Sequence, residues 1–319
     1  MNKIDRHNWK TGAAKALDHA SYSPKKLALI HSSASAGLAL LIAVLNYLLS
    51  QQIAGTGGLS GIGNRAILET LQSLLEIANI LLLPFWQMGL IFVFLSVSRR
   101  QQTGPRDLLA GFHRFGPIFR GKVLQIILLS GTAFIGCYLG TLLFSLTPMS
   151  QALYGAVEPY MAEGVMDYTK MLEDEAVMTA MLYALPFMAA GMAVLTVPMY
   201  YRLRMMDYIL LDHPEKGAFF AMRWSKMIMR GKRMGLFKLD LSFWWFYALE
   251  WLITVVCYGD LILPMMNIDL GMSADAAFFA FYALALVCQV ALYTWQKPHL
   301  LTTYARFYED TLPREAEAQ

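Results

Sequence analysis

Charge is scarce in this 319-residue chain, where Asp, Glu, Lys and Arg together make up 15% of the residues, and so is cysteine, which occurs three times. A soluble domain carries about a quarter charged residues, so the first shortage excludes an ordinary water-facing globule. The second excludes an extracellular disulfide framework, because Cys137, Cys257 and Cys288 all fall inside apolar stretches and read as packing residues. Catalytic and metal signatures are missing too. His7, His19, His31, His113, His213 and His299 are scattered without metal-ligand spacing, and no H-E-x-x-H, C-x-x-C, G-x-S-x-G or Walker pattern occurs. Tyr258-Gly259-Asp260 lacks the second aspartate signature that an intramembrane aspartyl protease needs. The expectation is a protein with no catalytic residues, no metal and no cofactor, and no nucleic-acid partner; it is read as a non-enzyme.

What the chain has in abundance is apolar surface. Hydrophobic residues make up 57% and aromatic residues 13%, and the mean hydropathy is +0.43. A bilayer core about 30 Å thick needs roughly 20 apolar helical residues to cross it. Six stretches qualify: 27–50, 77–97, 123–147, 179–201, 239–258 and 276–296. Runs such as LALLIAVLNYLL at 38–49 show no period of two, which excludes barrel strands. The predicted fold is therefore all-α, a polytopic membrane protein with six transmembrane helices in a domain over 27–297. An amphipathic arm at 1–26 precedes it and a tail at 298–319 follows.

Of the 26 lysines and arginines, only Arg65 and Lys170 fall outside four segments that alternate with the apolar stretches. Short cytoplasmic loops collect such residues. The N-terminal arm, the 98–122 loop, residues 202–238 and the tail are thus expected on the cytoplasmic side of a bacterial plasma membrane. The opposite loops are acidic: Glu158, Glu163, Asp167, Glu173, Asp174 and Glu175 in 148–178, and Asp260, Asp269 and Asp275 in the last one. The first apolar helix, at about 24 residues, is too long for a signal-peptide core and is expected to stay uncleaved.

Two cytoplasmic segments look alike. One runs Pro105, Phe112, Arg114, Phe115, then Arg120-Gly121-Lys122; the other runs Pro214, Phe220, Arg223, Trp224, then Arg230-Gly231-Lys232. Each reads as an interfacial helix opened by proline and ended or hinged at the R-G-K glycine, a weak self-similarity signal. At 100° per residue Arg223, Lys226, Arg230 and Arg233 share one face of the second segment, opposite Phe220, Trp224, Met227 and Met234. That basic face is a candidate for binding membrane lipids, including anionic ones, or a membrane-protein partner. The plain alternative is that the charges only obey the positive-inside rule. The arm, with Trp9, Ala13 and Leu17 flanking Lys10 and Lys15, is read as a surface helix of the same kind.

The run from Met205 to Phe243, with M-M-D-Y-I-L-L-D-H-P, S-K-M-I-M-R-G-K and L-F-K-L-D-L-S-F, resembles the signature of an uncharacterised family of six-helix membrane proteins from Gram-positive, especially clostridial, bacteria. Lys10-x-x-Ala13-x-x-Ala16-Leu17 and Phe307-Tyr308 fit the same pattern. Pro198 is followed by Met199 where the family usually has Pro-Gly, a change that bears on a local bend. The resemblance implies the six-helix fold and no established activity. It extends more distantly to the membrane portion of some glycerophosphodiester phosphodiesterases.

Ionisable residues in spanning helices are functional candidates because burying their charge costs about 2.5 kcal/mol or more. Glu250 stands about 11 residues, or roughly 16 Å, into the expected fifth helix. Tyr247 and Thr254 flank it at helical spacing and Cys257 follows. With no Lys or Arg inside a predicted span, Glu250 is expected to be protonated and bonded to Asn46, Asn79, Gln87 or Gln289. Asp240 reads as an interfacial anchor or cap. The leading reading is a non-enzymatic lipid- or partner-binding membrane protein, with Glu250 read first as a structural hydrogen bond between helices; the alternative is a small proton-coupled transporter or export factor using Glu250. A homo-oligomer fits either.

Overall fold

The structure, a computed structural model, describes residues 3–55, 62–162, 174–265, 268 and 271–312. Glu163, Asp167, Lys170 and Glu173 of the predicted acidic loop lie outside the described residues, as does Asp269. Every described element is helical. In order they are α1 (Lys3–Asp18), α2 (Pro24–Gly55), α3 (Ile62–Ser98), a 3-10 turn (Pro105–Leu109) leading into α4 (Ala110–His113), α5 (Phe115–Ser145), α6 (Pro148–Ala162) and α7 (Glu175–Leu203). Then come α8 (Met206–Asp212), a second 3-10 turn (Pro214–Lys216), α9 (Gly217–Ile228), α10 (Arg233–Leu241), α11 (Trp244–Cys257), α12 (Gly259–Met265) and α13 (Ala274–Thr311).

Five described helical stretches are long and apolar enough to cross a membrane, and six are if α10 and α11, bent by 63° at their junction, count as one span. The chain thus has the all-helical, membrane-type architecture its apolar runs predict. It divides into two compact units, Met1–Phe119 with Asp207–Gly217 and Met234–Gln319, and Arg120–Met206 with Ala218–Arg233.

Several elements depart from the sequence reading, among them α6, which occupies Pro148–Ala162 of the expected outer loop, and α3, which begins at Ile62, well before the expected span at 77–97. The uninterrupted helix expected at 239–258 is broken at Ser242 and Phe243, where backbone bonds become short turns, Ser242 N–H to Leu239 and Phe243 N–H to Asp240. The Ser242 hydroxyl also donates to the Leu239 carbonyl (2.6 Å), a local bond that competes with the helical ladder. Residues 298–311 of the expected tail are instead the last 14 residues of α13, and Leu300, Tyr304, Phe307 and Tyr308 on them are buried. Proline inside a helix costs about 3 kcal/mol; here that apolar burial offsets the cost at Pro298. Finally, the two R-G-K sequences behave differently. Gly121 lies within α5, whereas Gly231 takes a left-handed φ of 78° and turns the chain between α9 and α10.

In the first unit, α1 is held by the protein itself. Trp9, Ala13 and Ala16 are buried; Trp9 meets Phe307 edge-on at 5.0 Å and donates its indole N–H to Asp310 (3.2 Å). Arg6 and Lys10 donate to the carbonyls of Lys238 and Ser242 (3.3 Å each). Those carbonyls are released at the end of α10, where the helix dipole favours cations. Lys10 also sits 4.1 Å from the Phe243 ring, and burial, then the charge of Arg6, holds its pKa below the ordinary lysine value.

A second polar cluster joins α3, α8 and α13. The α3 helix ends in a Schellman turn, with Gln101 N–H to Ser96 and Arg100 N–H to Val97, and Arg100 in the left-handed position (φ 58°) usually taken by glycine. That turn directs Arg99 to Asp212, whose two oxygens accept its paired NH donors at 2.7 Å. Glu309 accepts from Arg99 (3.2 Å) and from Ser98 (2.8 Å), and Tyr308 donates to Asp212 (3.0 Å). The Asp212 hydrogen bonds raise the Arg99 pKa above its ordinary value despite partial burial, so the guanidinium stays charged.

The second unit turns on a close helix crossing. A Cβ built on Gly191 of α7 would lie 2.2 Å from the Gly136 carbonyl oxygen of α5, and one on Gly140 would lie 2.3 Å from that of Phe187. Gly136-x-x-x-Gly140 is the small-residue spacing that lets membrane helices touch backbone to backbone.

Two outcomes are expected. Gly191→Val forces α5 and α7 apart and lowers stability by about 1–3 kcal/mol, read by thermal unfolding in detergent; an unchanged midpoint would show that the crossing is not tight. Arg99→Gln and Asp212→Asn each cost about 2 kcal/mol, and their double variant costs clearly less than the sum because they share one bond pair.

Candidate functional site

Glu250 projects from α11 into the first unit, where the polar side chains of α13 recur every fourth residue: Gln289, Tyr293 and Lys297. This spacing puts all three on one face of the helix. The Tyr293 hydroxyl donates to Glu250 Oε1 at 2.5 Å and accepts from the Gln289 amide at 3.2 Å. Lys297 Nζ lies 3.6 Å from the centroid of the Tyr293 ring, a cation–π contact. The lysine is close enough for its charge to act on Glu250 and, on α2, on His31.

His31 is almost fully buried. It stacks on Trp86 of α3 (centroids 4.9 Å apart, planes within 9°), with Nε2 at 3.2 Å from the Trp86 carbonyl oxygen. The Trp86 indole in turn donates to Ser35 Oγ at 2.8 Å. Nδ1 of His31 is buried with no hydrogen-bond partner.

Two cavities meet at this cluster. One, of about 440 Å³, lies among α2, α3 and α13 and is lined by Ser32, Ser35, Asn79, Trp86, Gln87 and Gln289 among others. The other, of about 230 Å³, is lined by Glu250, Thr254, Cys257 and Tyr282. Ala39, Gln289 and Tyr293 border both. A third, also about 440 Å³, adjoins the first at Ala39 and Asn79 and is bordered by Asn46, Tyr47 and Gln72. At that end Tyr47 donates to Asp275 (2.8 Å). Amide and hydroxyl groups therefore follow one another from the Tyr47 end to Glu250, all within the first unit.

The predicted stripe around Glu250 is only partly assembled. Thr254 shares the small cavity but donates its hydroxyl to the Glu250 backbone carbonyl (3.0 Å), not to the carboxyl. Tyr247 turns the other way. Tyr304 gives its only hydroxyl proton to Asp240, so in the 2.8 Å contact between the two hydroxyls Tyr247 is the donor. Among the amides expected to partner Glu250, Gln289 reaches it through Tyr293, while Asn79 and Gln87 line the large cavity and Asn46 the third. The expectation that no base is near Glu250 is corrected by Lys297, which sits one residue past the predicted span on a helix that continues.

The basic residues of the other segment are also rearranged. Because α9 ends at Ile228, Arg223 and Lys226 lie on that helix, Arg230 in the following turn and Arg233 at the start of α10. Arg223, Lys226 and Arg230 are exposed; Arg233 is half-buried. The continuous basic face drawn to residue 234 is not formed, since the left-handed Gly231 interrupts it.

No group of three His, Cys, Asp or Glu residues among the described residues is arranged to hold a metal. Sequence reasoning missed His31, Tyr293 and Lys297. The available signals were the polar His31-Ser32-Ser33 entry into an apolar helix and the four-residue spacing of Gln289, Tyr293 and Lys297.

A family model described as a protein of unknown function (DUF975) matches residues 24–315. No curated protein and no solved structure matches the chain.

A double-mutant cycle on Glu250→Gln and Tyr293→Phe is expected to give a coupling of about 1 kcal/mol in detergent unfolding. Additive effects would mean that the carboxyl and the phenol do not act as a pair.

Proposed function

We infer a transport role from the geometry around Glu250, because the chain belongs to the DUF975 family, which is described only as of unknown function. In this reading the protein is a small secondary transporter or export factor, and Glu250 is the carboxyl that couples proton and solute movement. The observation that carries it is the hydrogen bond from Tyr293 to Glu250 at the junction of two cavities whose mainly apolar walls carry a few amide and hydroxyl groups, with Lys297 beside it. A lone carboxyl in an unbroken helix supports a structural role as well as a functional one. A carboxyl with a nearby base, a cavity on each side and a helix break eight residues earlier resembles the discontinuous-helix sites of transporters.

Each group has a role. Tyr293 donates to the Glu250 carboxyl and Lys297 supplies a positive charge beside them; proton transfer at Glu250 changes the hydrogen bonds open to an incoming solute in this proposal. The amides of Gln289, Asn79 and Gln87 supply hydrogen bonds to a polar, uncharged part of the solute. Both termini lie on the cytoplasmic side of a plasma membrane in this proposal, in line with the distribution of Lys and Arg.

A second, non-enzymatic reading is association with lipids or a partner membrane protein. It is supported by the exposure of Arg223, Lys226 and Arg230, each worth about 1 kcal/mol near an anionic surface.

Reconstitution into liposomes holding a pH-sensitive dye separates these readings. A panel of amino acids, sugars, polyamines and organic acids is expected to contain a solute that moves protons through the wild type. That movement should fall to the level of protein-free vesicles in Glu250→Gln, with assembly retained. Solute-driven proton movement that survives Glu250→Gln, or none across the panel, would remove the transport reading.

A further inference from the structure

Glu250 stands at one end of a groove between α11 and α13. On α11 the groove is bordered by Glu250, Thr254, Cys257 and Tyr258, which follow one face of the helix to its end. On α13 it is bordered by Tyr293, Gln289, Ala285 and Tyr282, the facing stripe read backwards. The two helices run antiparallel here: Tyr247 meets Tyr304, Glu250 meets Tyr293, and Gly259 lies against the Phe281 ring. The cavity of about 230 Å³ therefore extends along both helices, from the carboxyl at one end to Tyr258, which is exposed, at the other.

In the other direction, toward α1, the same two helices close. Phe246, one turn before Glu250, is buried and stacks on Tyr293 with centroids 6.2 Å apart. Beside it Trp245 packs on Trp295 at 5.6 Å, and the hydroxyls of Tyr247 and Tyr304 are in contact at 2.8 Å. Lys10 of α1 covers this end by donating to the Ser242 carbonyl. A cavity of about 490 Å³ on the α1 side is bordered by Leu17, Ser23, Gln296 and His299, and among the described residues it shares no lining residue with the groove.

The two directions differ in what they offer water. A water molecule needs about 15 Å³ and two or more polar partners. The groove has both: the Thr254 hydroxyl donates to the Glu250 carbonyl and the Tyr282 hydroxyl to the Ala39 carbonyl (3.3 Å), so each oxygen keeps lone pairs that accept from water. The ionisable neighbours of Glu250 on α13, Tyr293 and Lys297, stand at the closed end. We propose that the groove is the water path by which Glu250 exchanges protons with the side of the membrane away from α1, and that the aromatic layer around Phe246 shuts the carboxyl off from the α1 side in this conformation. The use made of the proton rests on the transport reading. Thr254 and Tyr282 hold water in this path, and the larger cavity is left to the solute.

The test measures water access along α11 in the full-length protein and needs no solute. Intact cells expressing it, and inverted membrane vesicles, are treated with MTSES, a charged thiol reagent that does not cross the bilayer, and labelling is read by peptide mass spectrometry. Cys137→Ala with Cys288→Ala leaves Cys257 as the only thiol. Thr254→Cys and Leu252→Cys are compared in that background with Cys257→Ala added. Asn8→Cys, exposed on α1, marks the compartment that holds α1. Cys257 and Thr254→Cys are expected to react about tenfold or more faster from the side opposite Asn8→Cys than from its own side. Leu252→Cys, exposed on the face of α11 opposite the groove, should react from neither. Phe246→Ala is expected to let Thr254→Cys react from the α1 side as well; should it not fold, Phe246→Val takes its place. A folded Thr254→Cys that reacts from neither side, equally from both or faster from the α1 side would overturn the water path, as would a Leu252→Cys that reacts like it. An unchanged side preference in the folded Phe246 variant would overturn the seal. Either failure leaves the Glu250→Gln flux result standing, and flux that survives Glu250→Gln leaves the labelling pattern standing.

Discussion

Backbone carbonyls released where a helix breaks need donors, and the junction of α10 and α11 is where this chain meets that constraint most directly. Arg6 and Lys10 meet it by donating to Lys238 and Ser242. The consequences spread outward. Reaching those carbonyls docks α1, docking α1 buries Trp9 and Ala13 against α13, and holding α13 in place presents Tyr304 to Asp240. The break also sets the start of α11, and so the register that carries Glu250 to Tyr293. A straight helix through 239–258 would rotate and shift that carboxyl.

The first unit separates two kinds of polar chemistry along α13. Near its end, Glu309 and its neighbours form a network of full charges in which each carboxylate has a cation or hydroxyl donor. Further back, Tyr293 and Gln289 deal with a carboxyl through neutral donors, and the lysine acts through the ring face and through space. The first arrangement is saturated and suits a fixed joint. The second leaves acceptor capacity on Glu250 and a buried His31 nitrogen without a partner, which suits exchange of protons or ligands.

Much of this was legible in the sequence, and what was not has a common cause. Apolar run length and the segregation of Lys and Arg are local properties, so the helical membrane-type architecture could be read directly. Glu250 also stood out, as a carboxyl in an apolar run. The break at Ser242 had no such signal: residues 238–246 contain neither glycine nor proline, and the groups that stabilise it, Arg6, Lys10 and Tyr304, are remote in the chain. The cost of Pro298 within α13 is local, while its compensation, the burial of Leu300 through Tyr308, is tertiary and left no local signal. The basic face from Arg223 to Arg233 failed for the opposite reason, since Gly231 was itself a visible warning. Gly136-x-x-x-Gly140 was equally visible, and its close approach to Gly191 makes it the clearest packing signal in the second unit.

The helix α13 has 38 residues, about 57 Å of rod, and it follows every other described helix in the chain. Elements as far apart in sequence as α1, α2, α3 and α11 all pack on it. The second unit, by contrast, draws its two segments from the middle of the chain. Synthesis therefore delivers the keystone of the first unit last. Until α13 is made, Trp9 and Glu250 lack their partners Asp310 and Tyr293. Contacts of such long sequence separation carry the highest entropic cost of closure, and they make completion of the first unit a late event.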